Sequence, residues 1–159
     1  MYIQLLFIQM NIEDLLKTDS KIPDSKKLIL NIIVTANYIN EKLAEVLKPF
    51  GISSQQFNVL RILRGQKGKP ANLSTIQERM VSKMSNTTRL VDKLVEKGYC
   101  ERIQCPSNRR KVEIRITSLG MELLEKLDPL IEDIENNIAG NIEKEEITSI
   151  NTQLNELRG

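Results

Sequence analysis

Residues 99–120, Y-C-E-R-I-Q-C-P-S-N-R-R-K-V-E-I-R-I-T-S-L-G, restrict the fold more than any other stretch of the chain. Val112, Ile114 and Ile116 alternate with Lys111, Glu113 and Arg115, the period-two pattern of a half-buried strand. On the other side Tyr99, Ile103 and Cys105 fall at even spacing, as on a first strand. Between them Pro106-Ser107-Asn108-Arg109-Arg110 begins with turn chemistry and ends on two adjacent guanidinium groups at the tip. Helical patterns precede and follow. A hairpin that carries paired arginines away from the body suits a narrow anionic groove, so this is a candidate DNA-binding wing.

Charge is partitioned in the same sense. Residues 1–60 hold 6 Lys/Arg and 6 Asp/Glu, residues 61–115 hold 14 and 5, and residues 116–159 hold 3 and 10. A formal net charge of +2 therefore hides a basic middle and an acidic end. A basic block of this size attracts polyanions through an interaction that weakens steeply with salt.

Other features exclude whole classes of chemistry. The 159 residues fit one domain, or one domain with dimerisation arms, and 40% hydrophobic content with 4% aromatic and no Trp implies an aliphatic core. The absence of His removes the commonest general base and metal ligand. Two cysteines neither complete a zinc site nor resemble a secreted disulfide framework. Cys100 and Cys105 are five apart and would face opposite sides of one strand, so no bond between them is expected. Glycine-rich phosphate loops, paired carboxylates in apolar settings and metal-ligand spacings are all missing. An enzyme is not expected, nor is a cofactor or a metal.

Residues 1–10 are apolar but lack the basic leader and cleavage site of a signal peptide, and are too short to span a bilayer. Either translation starts at Met10, or the segment is an extra element that packs on a partner subunit. No membrane association is expected, and the cytoplasm is the expected location.

The helical order follows from apolar spacing. A long helix over about 24–48 places Ile29, Ile32, Ile33, Ala36, Ile39, Leu43, Val46 and Leu47 on one broad face, and Pro49 and Gly51 end it. Ser53 and Gln56 form a capping-box pattern opening a helix with Phe57, Leu60 and Leu63 inward and Gly65 at its end. Residues 66–72 read as a loop and 73–80 as a short helix with Ile76 and Met80 on one face. After a tight connection at 81–83, a helix over 84–97 would bury Met84, Thr87, Leu90, Val91, Leu94 and Val95, with Ser82 or Ser85 as an alternative use in capping. Lys83, Ser85, Asn86, Arg89 and Lys93 lie opposite, short polar groups followed by long cations, which suits entry into a major groove. Thr117 caps another helix to about 138, which Pro129 is expected to kink or break. Ile147, Ile150, Leu154 and Leu157 mark a last one. The fold expected is mainly α with a small β-hairpin wing: a winged helix-turn-helix with N- and C-terminal helices whose surplus apolar faces suggest dimerisation.

In L-K-P-F-G-I-S-S-Q-Q-F-N-V-L-R-I-L (47–63), M-V-S-K-M-S-N-T-T-R-L-V-D-K-L-V-E-K-G-Y-C-E-R (80–102) and P-S-N-R-R-K-V-E-I-R-I-T-S-L-G (106–120), the chain resembles the MarR family of bacterial winged-helix transcriptional regulators. The resemblance runs over nearly the whole chain from about residue 24. It implies a homodimer with interlocking terminal helices, bound to a pseudo-palindromic operator, usually as a repressor, and released by a small aromatic anion or by thiol oxidation. By position, Ser85, Asn86, Thr88 and Arg89 would face bases or phosphates, with Ser82, Lys83 and Lys93 nearer the backbone. The family's wing usually carries Asp-x-Arg; here the matching run is Asn108, Arg109 and Arg110, and an amide orients Arg110 less strongly than a carboxylate. Oxidation sensors of the family commonly place a Cys near the first helix, where this chain has none.

The organisation expected is an N-terminal extension over 1–23, dimerisation helices over 24–48 and 118–159, and a winged helix-turn-helix over 49–117, integrated into a single domain. The function expected is sequence-specific DNA binding by a homodimeric transcriptional regulator, with double-stranded operator DNA as partner and a small aromatic molecule as candidate effector. The alternatives are a winged-helix module for an acidic protein partner and a thiol-based redox sensor. Tyr38, Phe50 and Phe57 are candidates for an effector pocket, though core or interface roles suit them better.

Overall fold

The computed structural model describes residues 11–105 and 108–159, with backbone alone for 105 and 108–111. The expectations for residues 1–10, and for Pro106 and Ser107, lie outside the described residues. The chain divides into two compact units, Met1–Glu41 and Lys42–Gly159.

In the first unit a short helix α1 (Ile12–Leu15) precedes α2 (Asp24–Leu47), whose last six residues belong to the second unit. Lys27 on α2 pairs with Glu13 at 2.9 Å, and the ammonium group holds the Glu13 carboxyl below its ordinary range. Ile12 and Ile22 are buried, whereas Leu28, Ile29 and Ile33 on α2 are about half exposed. The periodic apolar face predicted for α2 exists as spacing, but much of it is uncovered.

The second unit contains the core. Pro49 ends the long helix through a 3-10 turn (Lys48–Phe50), and Gly51 takes the left-handed conformation (φ +67°) that only glycine adopts without strain. Helix α3 (Ser54–Arg64) opens with the predicted capping box. Gln56 N–H donates to Ser53 Oγ at 3.2 Å, and Ser53 N–H donates to Gln56 Oε1 at 3.0 Å. Phe57, Val59, Leu60 and Leu63 are buried on it, and it packs against α4 (Leu73–Arg79), α5 (Thr87–Glu96), α6 (Ser118–Ala139) and strand β2 (Asn108–Ile116). A single amphipathic helix thus serves as the hub. Around it Ile76, Met80, Val91, Leu94, Ile114, Leu124 and Leu127 are fully buried, an aliphatic core as the composition requires.

Arg64 at the end of α3 forms a two-pronged pair with Asp128 of α6, at 2.5 and 3.0 Å. Both side chains are partly solvated, so the pair adds little to stability. Asp128→Asn is expected to lower the unfolding free energy by no more than about 1 kcal/mol, as a urea melt would show.

Three elements differ from expectation. Of the kink or break expected at Pro129, the break does not occur: α6 runs through it. Leu123, Leu124, Leu127 and Ile131 pin the helix to the core on both sides of it, while Pro129 and Glu125 lie exposed, where water can satisfy the carbonyl that loses its donor. The 66–72 loop contains an isolated antiparallel bridge: Ala71 N–H donates to the Ile114 carbonyl at 2.9 Å and Ile114 N–H returns to Ala71 at 2.7 Å. The hairpin of β1 (Cys100–Cys105) and β2 already counts Asn108 to Arg110 as strand rather than connection. Its pairs run from Cys100↔Ile116 to Gln104↔Val112, then shift to Cys105↔Asn108, so residues 109–111 form a bulge on β2. Bulges of this kind bend a strand and re-aim its side chains. The last helix, α7 (Lys144–Arg158), buries nothing, and Ile150 and Leu157 on its apolar stripe are exposed.

Candidate nucleic-acid interface

Helix α5 starts later than its apolar spacing suggests. It runs from Thr87, not Met84, and the connection occupies residues 80–86 rather than 81–83. Ser82, Ser85 and Asn86 can all satisfy the open N–H groups of a first turn, and Asn86 takes the role: its side-chain oxygen accepts from Arg89 N–H at 3.1 Å. Met84 consequently sits outside the helix and is 96% exposed, so it is not part of the buried stripe. Thr87, Val91 and Leu94 are buried on that stripe as expected, and Leu90 and Val95 pack partly against it.

The sequence-predicted residues separate into two groups. Thr88, Arg89 and Lys93 lie exposed on α5, Arg89 and Lys93 one turn apart on the same face. Ser82, Lys83 and Ser85 lie on the connection, and Asn86 caps the helix with its oxygen while its amide N–H groups remain to donate. Ser85, Asn86, Arg89 and Lys93, with Gln55 and Leu90, line one open depression of about 320 Å³. Asn108, Arg109 and Arg110 are on β2 by backbone, and their side chains lie outside the described residues.

Several contributors escape a reading of the sequence. Gln77 of α4 holds the connection at both ends: its oxygen accepts from the Thr87 hydroxyl, and its amide donates to the Lys83 carbonyl at 2.8 Å. Asn58 of α3 accepts from Val81 N–H at 3.0 Å. Asp92 of α5 pairs with Arg102 of β1 at 2.5 Å, linking helix to wing. No local pattern announces these residues, because each acts on a partner distant in sequence. Gln55, beside the capping box, likewise carries no signal of its own.

Cys100 begins β1 fully buried, its Sγ 3.9 Å from the Val91 carbonyl. Burial pushes the thiol up to about 12, only partly offset by Arg102, so it stays protonated and unreactive at neutral pH. In a Cys105→Ser background, iodoacetamide at pH 8 is expected to label Cys100 only at the rate of global unfolding. The sign of the linkage follows: from about pH 9, the thiol's ordinary value, towards 12 the unfolded chain ionises first, and stability falls.

The α4–connection–α5–hairpin arrangement, with its extra bridge at Ala71, defines a winged helix-turn-helix protein. Residues 52–112 match the model of the MarR family. The chain is 27% identical over 110 residues to the HTH-type transcriptional regulator PrsX of Escherichia coli, a match covering 69% of this chain and 66% of the relative. The matched region thus spans just under two thirds of that relative's length. Among solved structures, BpsR of Bordetella bronchiseptica, whose DNA binding is regulated by 6-hydroxynicotinic acid, superposes with a TM-score of 0.76 at 19% identity, covering 87% of this chain and 98% of BpsR. A mutant MarR of Escherichia coli complexed with operator DNA gives 0.70 at 24% identity, covering 79% and 89%. Among the described residues no helix is long and apolar enough to cross a membrane.

Proposed function

We propose that this chain is a homodimeric, sequence-specific DNA-binding transcriptional regulator, acting as a repressor released from a pseudo-palindromic operator by a small molecule. The observation that carries the reading is α5 itself: one face is locked into the core, and the other presents Thr88, Arg89 and Lys93 to solvent within the basic stretch of the chain. Arg89 reads base edges, Ser85, Asn86 and Thr88 approach bases or phosphates, and Ser82, Lys83 and Lys93 hold the phosphate backbone. Asn108, Arg109 and Arg110 of the wing reach the adjacent minor groove.

Residues 49–117 are the reading module, 24–48 and 118–159 the dimerisation helices, and 1–23 an extension. Support for dimerisation comes from apolar side chains that the single chain leaves exposed, Leu28, Ile29 and Ile33 on α2 and Ile150 and Leu157 on α7. Support for operator binding comes from the MarR solved with operator DNA, and support for small-molecule control from BpsR, whose DNA binding is regulated by 6-hydroxynicotinic acid. The protein works in the cytoplasm, where its DNA is.

The test is binding to the upstream region of its own gene and to unrelated DNA across a salt series. Tighter binding to the upstream region, with affinity falling steeply as salt rises, is the expected result. Equal, weak binding to both DNAs would transfer the basic face to an acidic protein partner.

A further inference from the structure

Electrostatics does not account for the connection between α4 and α5. Val81 is 87% and Met84 96% exposed, the highest values of any large apolar side chain among the described residues. Both lie in residues 81–86, whose other members are polar or cationic, Ser82, Lys83, Ser85 and Asn86. The segment is not loose. Val81 N–H is fixed by Asn58, the Lys83 carbonyl by Gln77, and Ser85 N–H by the Ser82 carbonyl at 3.2 Å, while the Lys83 ammonium reaches back to the Glu78 carbonyl at 2.5 Å. A backbone held in this way keeps the two apolar side chains exposed on the residues that lead into the first turn of α5, the turn that carries Arg89.

We propose that Val81 and Met84 are specificity-determining residues that pack on thymine C5-methyl groups in the major groove. The inference rests on the reading that α5 enters that groove. Among the four bases, thymine alone offers the groove a methyl group; apart from the small C5–H of cytosine, the other features there are hydrogen-bond donors and acceptors. The exposed cations of the same connection and helix, Lys83, Arg89 and Lys93, match a phosphate-lined groove and would be mismatched to an apolar protein surface. The cations therefore select the duplex, and the apolar pair selects thymine within it.

Uracil isolates the effect, since it keeps thymine's hydrogen-bonding groups and lacks only the methyl. The full chain is first used to enrich duplexes from a random-sequence library. Affinity for an enriched duplex is then compared with that for the same duplex carrying uracil at the half-site thymines, and with a control carrying uracil outside the half-sites. Each methyl taken from under Val81 or Met84 is expected to weaken binding on the order of fourfold, the value of one buried carbon, and the control should bind as the parent does. A Val81→Ser, Met84→Gln protein, altered only at exposed positions, should bind thymine and uracil duplexes alike. Equal affinity of the unaltered protein for both duplexes overturns the proposal and leaves DNA reading intact. Failure to enrich any duplex overturns the DNA reading and the proposal together.

Discussion

Gly120→Ala is expected to destabilise the protein by at least about 3 kcal/mol, enough to shift a urea midpoint far outside the range of surface substitutions. Gly120 lies buried in the first turn of α6. A Cβ there would overlap the Tyr99 carbonyl oxygen and fall 2.8 Å from Ile116 Cγ1. The Ile116 side chain could rotate away, but the Tyr99 oxygen is backbone and also accepts from Thr117 N–H at 3.1 Å. The Thr117 hydroxyl in turn donates to the Gly98 carbonyl at 2.6 Å and accepts from Gly120 N–H at 3.1 Å. Relieving the clash means lifting α6 off the wing and breaking these bonds together. An unchanged midpoint for Gly120→Ala would show that α6 does not begin against the wing.

Arg89→Ala is expected to weaken binding to the specific operator by about 10- to 100-fold for each half-site, while binding to unrelated DNA falls far less. Arg89 stands in the first turn of α5, exposed, and among the described residues no ion pair holds its guanidinium. A base-edge contact carries discrimination, so removing it relaxes sequence preference. Lys93→Ala supplies the contrast: without this cation on a phosphate, the protein should bind every sequence less tightly, with a salt dependence flatter by about one counterion. Competition titrations with specific and unrelated duplexes separate the two. Equal weakening on both DNAs for Arg89→Ala would assign Arg89 to the phosphate backbone.

What can be read from the sequence follows the range of the interactions involved. The capping box at Ser53 and Gln56, the stop at Gly51 and the Thr117 cap are local, three or four residues deep, and they occur where the spacing predicts. Apolar spacing misplaces the start of α5 because Ser82, Ser85 and Asn86 are equally able to cap. The choice is made by bonds from Gln77 and Asn58, 10 and 23 residues from their partners. The bridge from Ala71 to Ile114 leaves no local trace for the same reason. At Pro129 the local cost alone misleads, because the packing of its neighbours outweighs it.

In the recognition module the first turn of α5 is bonded to α4 by Gln77 and Thr87, its middle is paired to the wing through Asp92 and Arg102, and beneath both Val91, Leu94, Cys100 and Ile114 share one core. Helix and hairpin are therefore a single solid tool with one cutting profile. A regulatory signal gains little by trying to reshape it. In a dimer, the quantity left to adjust is the gauge between two such tools, which a duplex of fixed pitch either accepts or rejects.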